Sequence, residues 1–401
     1  MIKKLAYGIV ALAIAVSCTS PKANTETFEA GKLLDYAVTK TSATMNSLHA
    51  ADSLPRNIYS TQTEWNKVGI HDWTSGFWPG ILWYAYEASG SQDILENAKE
   101  YTEALKGILD VPVDNHDLGF MLYCSMGNGN RLIENEEYKN FLLVTADSLA
   151  TLYNPKVGTI LSWPVMVEQM NWPHNTIIDN MINLELLFWA AKNGGDQRLY
   201  DIAVKHAETC MNTLIRPDYS TYHVAVFDTI DGHFMKGVTH QGYADSSMWA
   251  RGQGWGIYGY TMTYRETGDK RFLDVAMKLA DKFLERLPED GIPYWDFDDP
   301  AIPEAPKDAS AACVASSGML ELSTLLTDEK LKARYKNAAV KMLRILSTDQ
   351  YLANDKNQAF LLHSTGHHPN GSEIDASIIY ADYYYLEALL RLKKINENGT
   401  L

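Results

Sequence analysis

Helices apolar on every side alternate along this chain with helices that have one wet face, and that alternation restricts the folds open to it. Residues 178–192 and 249–264 carry apolar or aromatic side chains almost all round, so they need enclosure. Residues 269–287 and 328–346 space apolar side chains three and four apart with Lys and Glu between, the pattern of a helix half in water. A short turn separates the two kinds: Ser89-Gly90-Ser91-Gln92-Asp93, Asn193-Gly194-Gly195-Asp196, Thr267-Gly268-Asp269-Lys270 and, without the glycine, Thr327-Asp328-Glu329-Lys330. The glycine accommodates helix termination, and the following Asp can cap the next helix.

Read through to the end, the pattern predicts about twelve helices, near 28–49, 73–88, 93–109, 118–127, 135–153, 177–192, 197–214, 247–266, 270–287, 308–326, 329–347 and 373–394. They form six helical hairpins. An all-α fold closing these into a ring, an (α/α)6 toroid, would gather the starts of the inner helices around one cavity. An open solenoid would need more regular repeats than these. No linker-like composition break falls between 28 and 395, so residues 28–401 read as a single catalytic domain, with the Pro-rich stretch Pro293 to Pro306 as a long loop over the cavity.

The N-terminus, residues 1–17, reads as a signal peptide: Lys3 and Lys4 precede an apolar stretch from Leu5 to Val16 too short to span a bilayer. Ala15-Val16-Ser17-Cys18 is similar to a bacterial lipobox, which implies cleavage before Cys18, lipid attachment there and a polar tether over 18–27. The expected location is exported and lipid-anchored, facing the periplasm, with the membrane met only through that lipid. Cleavage removes two lysines and no acid, so the net charge of −15 becomes −17. Such a chain should not bind nucleic acid through its overall field, and an anionic ligand would need a local cation. The remaining cysteines, Cys124, Cys210 and Cys313, are odd in number and widely spaced, which fits buried thiols and no metal-site pattern. His363, His367 and His368 match no standard metal spacing either.

Polar residues stand where helical packing does not require them. Asp179 precedes an apolar helix, and the residues leave two roles open: a helix N-cap, or a carboxyl in surroundings of low dielectric that would hold a proton near neutrality. Asp117, beside His116, has the same two readings. The run His240 to Gly256 crowds Gln241, Trp249, Arg251 and Trp255 together, a mixture suited to sugar stacking and carboxylate recognition or, equally, to a core packed with tryptophan. Trp73 and Trp163 carry the same ambiguity. His223, in Thr221-Tyr222-His223, falls in a short strand or hairpin.

At these segments the chain closely resembles the unsaturated glucuronyl hydrolases of glycoside hydrolase family 88. The matching stretches are Trp73-Thr74-Ser75-Gly76-Phe77-Trp78-Pro79-Gly80, His116-Asp117-Leu118-Gly119-Phe120, Asp179-Asn180-Met181, His240-Gln241-Gly242-Tyr243, Trp249-Ala250-Arg251-Gly252-Gln253, Gly371-Ser372-Glu373-Ile374-Asp375 and Tyr380-Ala381-Asp382-Tyr383-Tyr384. The resemblance implies an (α/α)6 barrel without metal or other cofactor. It also implies removal of a non-reducing-end 4,5-unsaturated glucuronyl residue from lyase-generated oligosaccharides, glycosaminoglycan disaccharides above all. Asp179 would be the general acid and base of a vinyl-ether hydration and Asp117 the second essential acid. His116, His223, Gln241 and Arg251 would be polar ligands of the uronate, with Trp73, Trp163, Trp249 and Trp255 as walls. At Ser364-Thr365-Gly366-His367-His368 the chain departs from the family, where a lysine often stands, which leaves sulfate preference open. The alternatives are an unsaturated rhamnogalacturonyl hydrolase acting on pectin fragments and a carbohydrate-binding lipoprotein without chemistry.

Overall fold

The computed structural model describes residues 28–401 apart from 49 and 52, so the expected signal peptide, tether and Cys18 lie outside the described residues. Its helices, in chain order, are α1 (Ala30–Ser47), α2 (Phe77–Ser89), α3 (Gln92–Ala104), a π-helix (Gly119–Gly127) running into α4 (Asn128–Ile133), α5 (Glu136–Ala150), the short α6 (Pro164–Gln169), α7 (Asn180–Lys192), α8 (Gln197–Thr213), α9 (Ala250–Thr267), α10 (Lys270–Arg286), α11 (Ala309–Leu325), α12 (Glu329–Leu346) and α13 (Ile379–Asn398). Burial sorts them as their composition predicts. In α11 every side chain from Ala309 to Ser323 is buried and in α13 every one from Ile379 to Leu390, whereas α10 buries only Phe272, Val275, Ala276, Leu279, Ala280 and Phe283, one stripe.

The enclosed helices close a ring. α2 packs on the π-helix, the π-helix on α7, α7 on α9, α9 on α11, α11 on α13, and α13 returns to α2. α1, α3, α5, α8, α10 and α12 form the outer layer, which completes the (α/α)6 toroid. The expected helix over 118–127 exists but winds as a π-helix, a form often found at functional sites.

Capping separates the two layers except at uncapped α1 and Asp308-capped α11. The side chains of Ser91, Asn135, Asp196, Asp269 and Asp328 each accept a backbone N–H at the start of an outer helix. At the first turn it is Ser91 that caps, with Asp93 in the turn behind it. Five of the six inner helices begin without a side-chain cap, at Gly76, Leu118, Asp179, Trp249 and Ile378. Because consecutive inner helices are joined through antiparallel outer ones, all six starts lie at one mouth of the ring.

Among the described residues, eight short strands decorate the loops, and one set builds the site. β5 (His174–Ile177), β6 (Val224–Phe227) and β7 (Phe234–Val238) form an antiparallel sheet whose register pairs Ile177 with Val224 and Val224 with Val238. One residue past β5, the Ile178 N–H bonds the His223 carbonyl at 3.0 Å, and so Asp179 and His223 become neighbours. The Pro-rich stretch joins the same mouth, where Trp249 bridges Asp296 in antiparallel fashion.

Further along the axis, four inner helices each contribute one aromatic ring to a closed circuit: Phe77–Phe120 (5.6 Å between centroids), Phe120–Trp255 (5.3 Å), Trp255–Tyr384 (5.4 Å) and Tyr384–Phe77 (6.0 Å). All four are fully buried. Small residues let the ring close around them. A Cβ on Gly259 of α9 would stand 2.4 Å from Cβ of Met181 in α7, whereas one on Gly31 of α1 would meet nothing within 4 Å. Gly259→Ala should therefore destabilise the fold by about 1–3 kcal/mol. Gly31→Ala should leave the denaturant midpoint unchanged or raise it slightly.

Candidate active site

Asp179 occupies the N-cap position of α7, yet its backbone is helical (φ −60, ψ −31) and its side chain caps nothing. The capping role left open by its position is therefore not the one it plays. Its carboxyl is buried, and desolvation there pushes the pKa up to about 7, with the Asp117 charge adding to the rise and Arg251 opposing it. Asp117, just ahead of the π-helix, is likewise pushed up to about 7 by burial, against a hydrogen bond from Asn183.

Each acid faces a neutral imidazole. Nδ1 of His223 accepts the backbone N–H groups of His240 and Gln241, both at 3.1 Å, so the ring proton sits on Nε2, which lies 3.8 Å from Asp179 Oδ1. The second pair repeats the arrangement. Asn183 Oδ1 accepts the Phe120 N–H at 2.9 Å, which turns its Nδ2 toward His116 Nδ1 at 3.4 Å; His116 Nε2 then faces Asp117 Oδ1 at 3.5 Å. Burial holds the His116 pKa down to about 3 and that of His223 well below its usual value. Neither imidazole therefore brings a full charge to the pocket at neutral pH.

A buried polar atom without a partner is expensive, so a cluster of them marks a place built for a polar ligand. Among the described residues, six such atoms gather here without a hydrogen bond of good geometry: Asp179 Oδ1, His223 Nε2, His116 Nε2, Asn180 Oδ1, Trp255 Nε1 and the Tyr380 hydroxyl, although the Trp255 indole stands beside Asp179 and the Asn180 amide beside His116. Around them Trp163 stands edge-on to His223 (5.6 Å), His240 (5.4 Å) and His116 (6.4 Å), and both it and His240 are half-buried. Ser162 secures it: its carbonyl accepts the His116 N–H, its hydroxyl accepts from Ile177 N–H and Asn180 Nδ2, and its own N–H bonds the Asn175 carbonyl.

The other expected residues fall as follows. Trp249 is sandwiched between His223 (4.6 Å) and the Arg251 guanidinium (4.6 Å). Trp73 is half-buried against Tyr380 (5.1 Å) and Phe120 (5.8 Å). Gln241 is half-buried and contributes its backbone N–H to His223. Trp255 is wholly buried in the aromatic circuit, so it forms the floor under Asp179, with its indole N–H beside the carboxylate, and not a side wall. Arg251 lies within the site but is 1 % exposed and donates to Asp308, the Thr365 carbonyl and the Gly366 carbonyl.

Sequence reasoning did not single out His240, Tyr380, Asn183 or Asp308, and considered His367 only against metal spacings and in the segment that departs from the family. His240 and His367 meet edge-on at 4.8 Å although they lie in different loops. Tyr380 stands in a segment quoted above, where only its neighbourhood to a motif could have drawn attention. The three body cysteines are free and buried, as expected.

A separate cavity of about 440 Å³ opens at the other mouth, among the C-terminal halves of the inner helices. Its charges satisfy one another: Arg131 with Glu87 at 2.6 Å, Arg391 with Glu321 at 3.2 Å and Glu387 at 3.4 Å, and Arg265 with Glu185 and Glu321. The reactive arrangement is at the N-terminal mouth.

Buried carboxyl groups poised near neutrality, neutral imidazoles and stacking aromatics at the open end of an (α/α)6 ring define a glycosidase-type active site. The chain belongs to glycosyl hydrolase family 88, whose family model matches residues 47–393. It is 40% identical over 403 residues to an unsaturated glucuronyl hydrolase of Formosa agariphila, covering 98% of this chain and 99% of the relative. An unsaturated chondroitin disaccharide hydrolase of Streptococcus pyogenes is 38% identical over 352 residues, 86% of this chain and 87% of its own. The crystal structure of an unsaturated glucuronyl hydrolase specific for heparin superposes with a TM-score of 0.87 at 41% identity, covering 92% of this chain and 98% of that one.

The indole N–H of Trp255 lowers the Asp179 pKa. Trp255→Phe should accordingly raise it, visible as a shift of one carboxyl resonance to higher pH in a titration of protein with 13C-labelled aspartate.

Proposed function

We propose that this protein hydrolyses the 4,5-unsaturated uronate from the non-reducing end of glycosaminoglycan oligosaccharides. The observation that carries the reading is Asp179, a buried carboxyl that caps nothing, keeps its proton to near neutrality and faces the polar atoms left unpaired in the same pocket. The names of the relatives supply the substrate class.

The unsaturated ring is a vinyl ether conjugated to its carboxylate. Asp179 delivers its proton to C4 while water adds its oxygen to C5, and the proton shed by that water returns to Asp179, so one carboxyl group serves as acid and then as base. The hemiketal formed at C5 opens, leaving a hemiacetal at C1 that collapses and releases the remaining sugar. Asp117, as an anion, stabilises positive charge developing toward C5. The spacing rule for two-carboxylate glycosidases does not bear on this route, because no displacement occurs at C1.

An anionic substrate must enter a protein whose net charge is −15. Six helix starts directed at one mouth, five without side-chain caps, place the positive ends of their dipoles there, and Arg251 adds a cation whose charge Asp308 offsets in part. A bound carboxylate near Arg251 in turn favours the protonated form of Asp179.

The reaction needs Asp179 protonated, and its carboxyl is raised from 3.8 to about 7. It also needs Asp117 ionised, and that carboxyl is likewise raised to about 7, so activity should peak near pH 7 and fall on both sides, on the alkaline side as Asp179 loses its proton and on the acid side as Asp117 gains one. Asp179→Asn should slow the loss of ultraviolet absorbance of an unsaturated disaccharide by about 10³-fold or more while substrate still binds. Near-normal turnover in that variant would remove Asp179 from the chemistry. The relatives differ in substrate, so a panel of unsaturated disaccharides from chondroitin, hyaluronan, heparin and pectin is the assay. A preference for the pectin fragment would favour the rhamnogalacturonide reading, and absorbance unchanged on all four would favour binding without catalysis.

We also propose that the chain is exported and lipid-anchored through Cys18, on the lipobox-like Ala15-Val16-Ser17-Cys18. Cys18→Ser should abolish incorporation of labelled fatty acid, and label retained in that variant would refute the anchor.

A further inference from the structure

Behind the Arg251 guanidinium stands another buried acid. Asp308, fully buried at the start of α11, accepts from Arg251 Nη1 at 2.8 Å through one carboxylate oxygen. Its other oxygen accepts the Ser310 N–H at 3.0 Å, the Ser310 hydroxyl at 2.6 Å and the Thr365 N–H at 3.3 Å. Arg251 completes the junction by donating to the Thr365 and Gly366 carbonyls at 2.6 and 2.5 Å. One carboxylate thus ties α11, α9 and the segment that carries His367 against His240.

We propose that Asp308 is a positioning residue for the hydrolysis: it fixes the Arg251 guanidinium toward the substrate carboxylate and supplies the counter-charge that keeps this cation from drawing the proton off Asp179. Capping does not account for a carboxylate here. Asn or Ser would accept from Ser310 and Thr365 equally well, and the outer helices show that single polar side chains suffice for caps. Only the contact with Arg251 calls for a negative charge.

The charge balance around Asp179 makes that contact matter. Asp179 is faced by Asp117 from just ahead of the π-helix, by His223 ahead of β6 and by Arg251 and the Trp255 indole from α9, while His116 faces Asp117. Beyond Arg251 lie Asp308 from α11, Tyr380 from α13 and His367 from the segment before it. Burial keeps His116, His223 and His367 neutral near pH 7, so within this group Arg251 is the permanent cation. Its field favours the ionised form of Asp179, and Asp308 offsets that field.

The positioning half rests on the hydrolysis proposed above; the counter-charge half does not, because it can be read without substrate. The experiment is a 13C titration of Asp179, together with kcat and KM, in wild type, Asp308→Asn, Asp308→Glu and the double variant Asp308→Asn/Arg251→Gln. In Asp308→Asn the Asp179 titration should move down by about one pH unit, and the alkaline limb of kcat with it. KM should rise about tenfold or more. Asp308→Glu should restore the titration, and the double variant should return it to the wild-type position or above while KM stays high. A folded Asp308→Asn with the wild-type titration overturns the counter-charge, and one with the wild-type KM overturns the positioning. If Asp308→Asn does not fold, a folded double variant shows that the two charges answer to each other, whereas a double variant that also fails to fold assigns Asp308 to architecture alone. A wild type inactive on every disaccharide sinks the hydrolysis reading while the titration still decides the counter-charge.

Discussion

Removal of water from the two carboxyl groups at the N-terminal mouth is the constraint on which the rest of this molecule depends. A surface aspartate is ionised at neutral pH and useless as an acid. Here the inner helices close around Asp117 and Asp179, the aromatic circuit of Phe77, Phe120, Trp255 and Tyr384 seals the space beneath, and burial becomes the largest influence on both groups. Everything that touches them then acts as a correction. Arg251 and the Trp255 indole pull the Asp179 pKa down, the Asp117 charge pushes it up, and the imidazoles, themselves kept neutral by the same burial, add hydrogen-bond donors without adding charge.

The two mouths of the ring deal with polar groups in opposite ways. At the C-terminal end, Arg131, Arg265 and Arg391 are bound to Glu87, Glu185, Glu321 and Glu387, and the Glu387 carboxylate also collects the hydroxyls of Tyr84, Tyr258 and Ser317. Such a network is ion-paired within itself, and removing Arg391 would leave the buried Glu387 carboxylate without its cation. At the N-terminal end the donors and acceptors are held rigidly but left with capacity for something else. A packing role explains the first arrangement and fails to explain the second.

Much of the fold was legible in the sequence because helical periodicity is a local signal. Among the described residues all twelve long helices overlap the expected ones, the last beginning at Ile379 and not near 373, and Asp196, Asp269 and Asp328 cap as their turns suggest. The state of Asp179 was not legible, since a capping aspartate and a buried acid share the same neighbours in sequence and differ in backbone angle. The π-helical winding at 119–127 depends on close approach by other elements: a Cβ on Gly119 would lie 2.5 Å from Asn183 Oδ1, and one on Gly76 would lie 2.1 Å from the Phe120 carbonyl. The orientation of Arg251 is set by partners 57 and 114 residues away, and the pairing of His240 with His367 by two separate loops. The fall of Trp255 to the floor of the pocket has the same cause, because it is the neighbouring helices that decide which ring completes the circuit.

That circuit makes the pocket a blind one. Four rings, each from a different inner helix, fill the axis of the barrel, so a sugar chain cannot thread through to the far mouth. Whatever enters must back out by the way it came, and the newly exposed end of a longer chain cannot slide forward into place. Each turnover is thus a complete cycle of docking and departure, and because only the lyase-made end carries the C4=C5 bond, each oligosaccharide is met once.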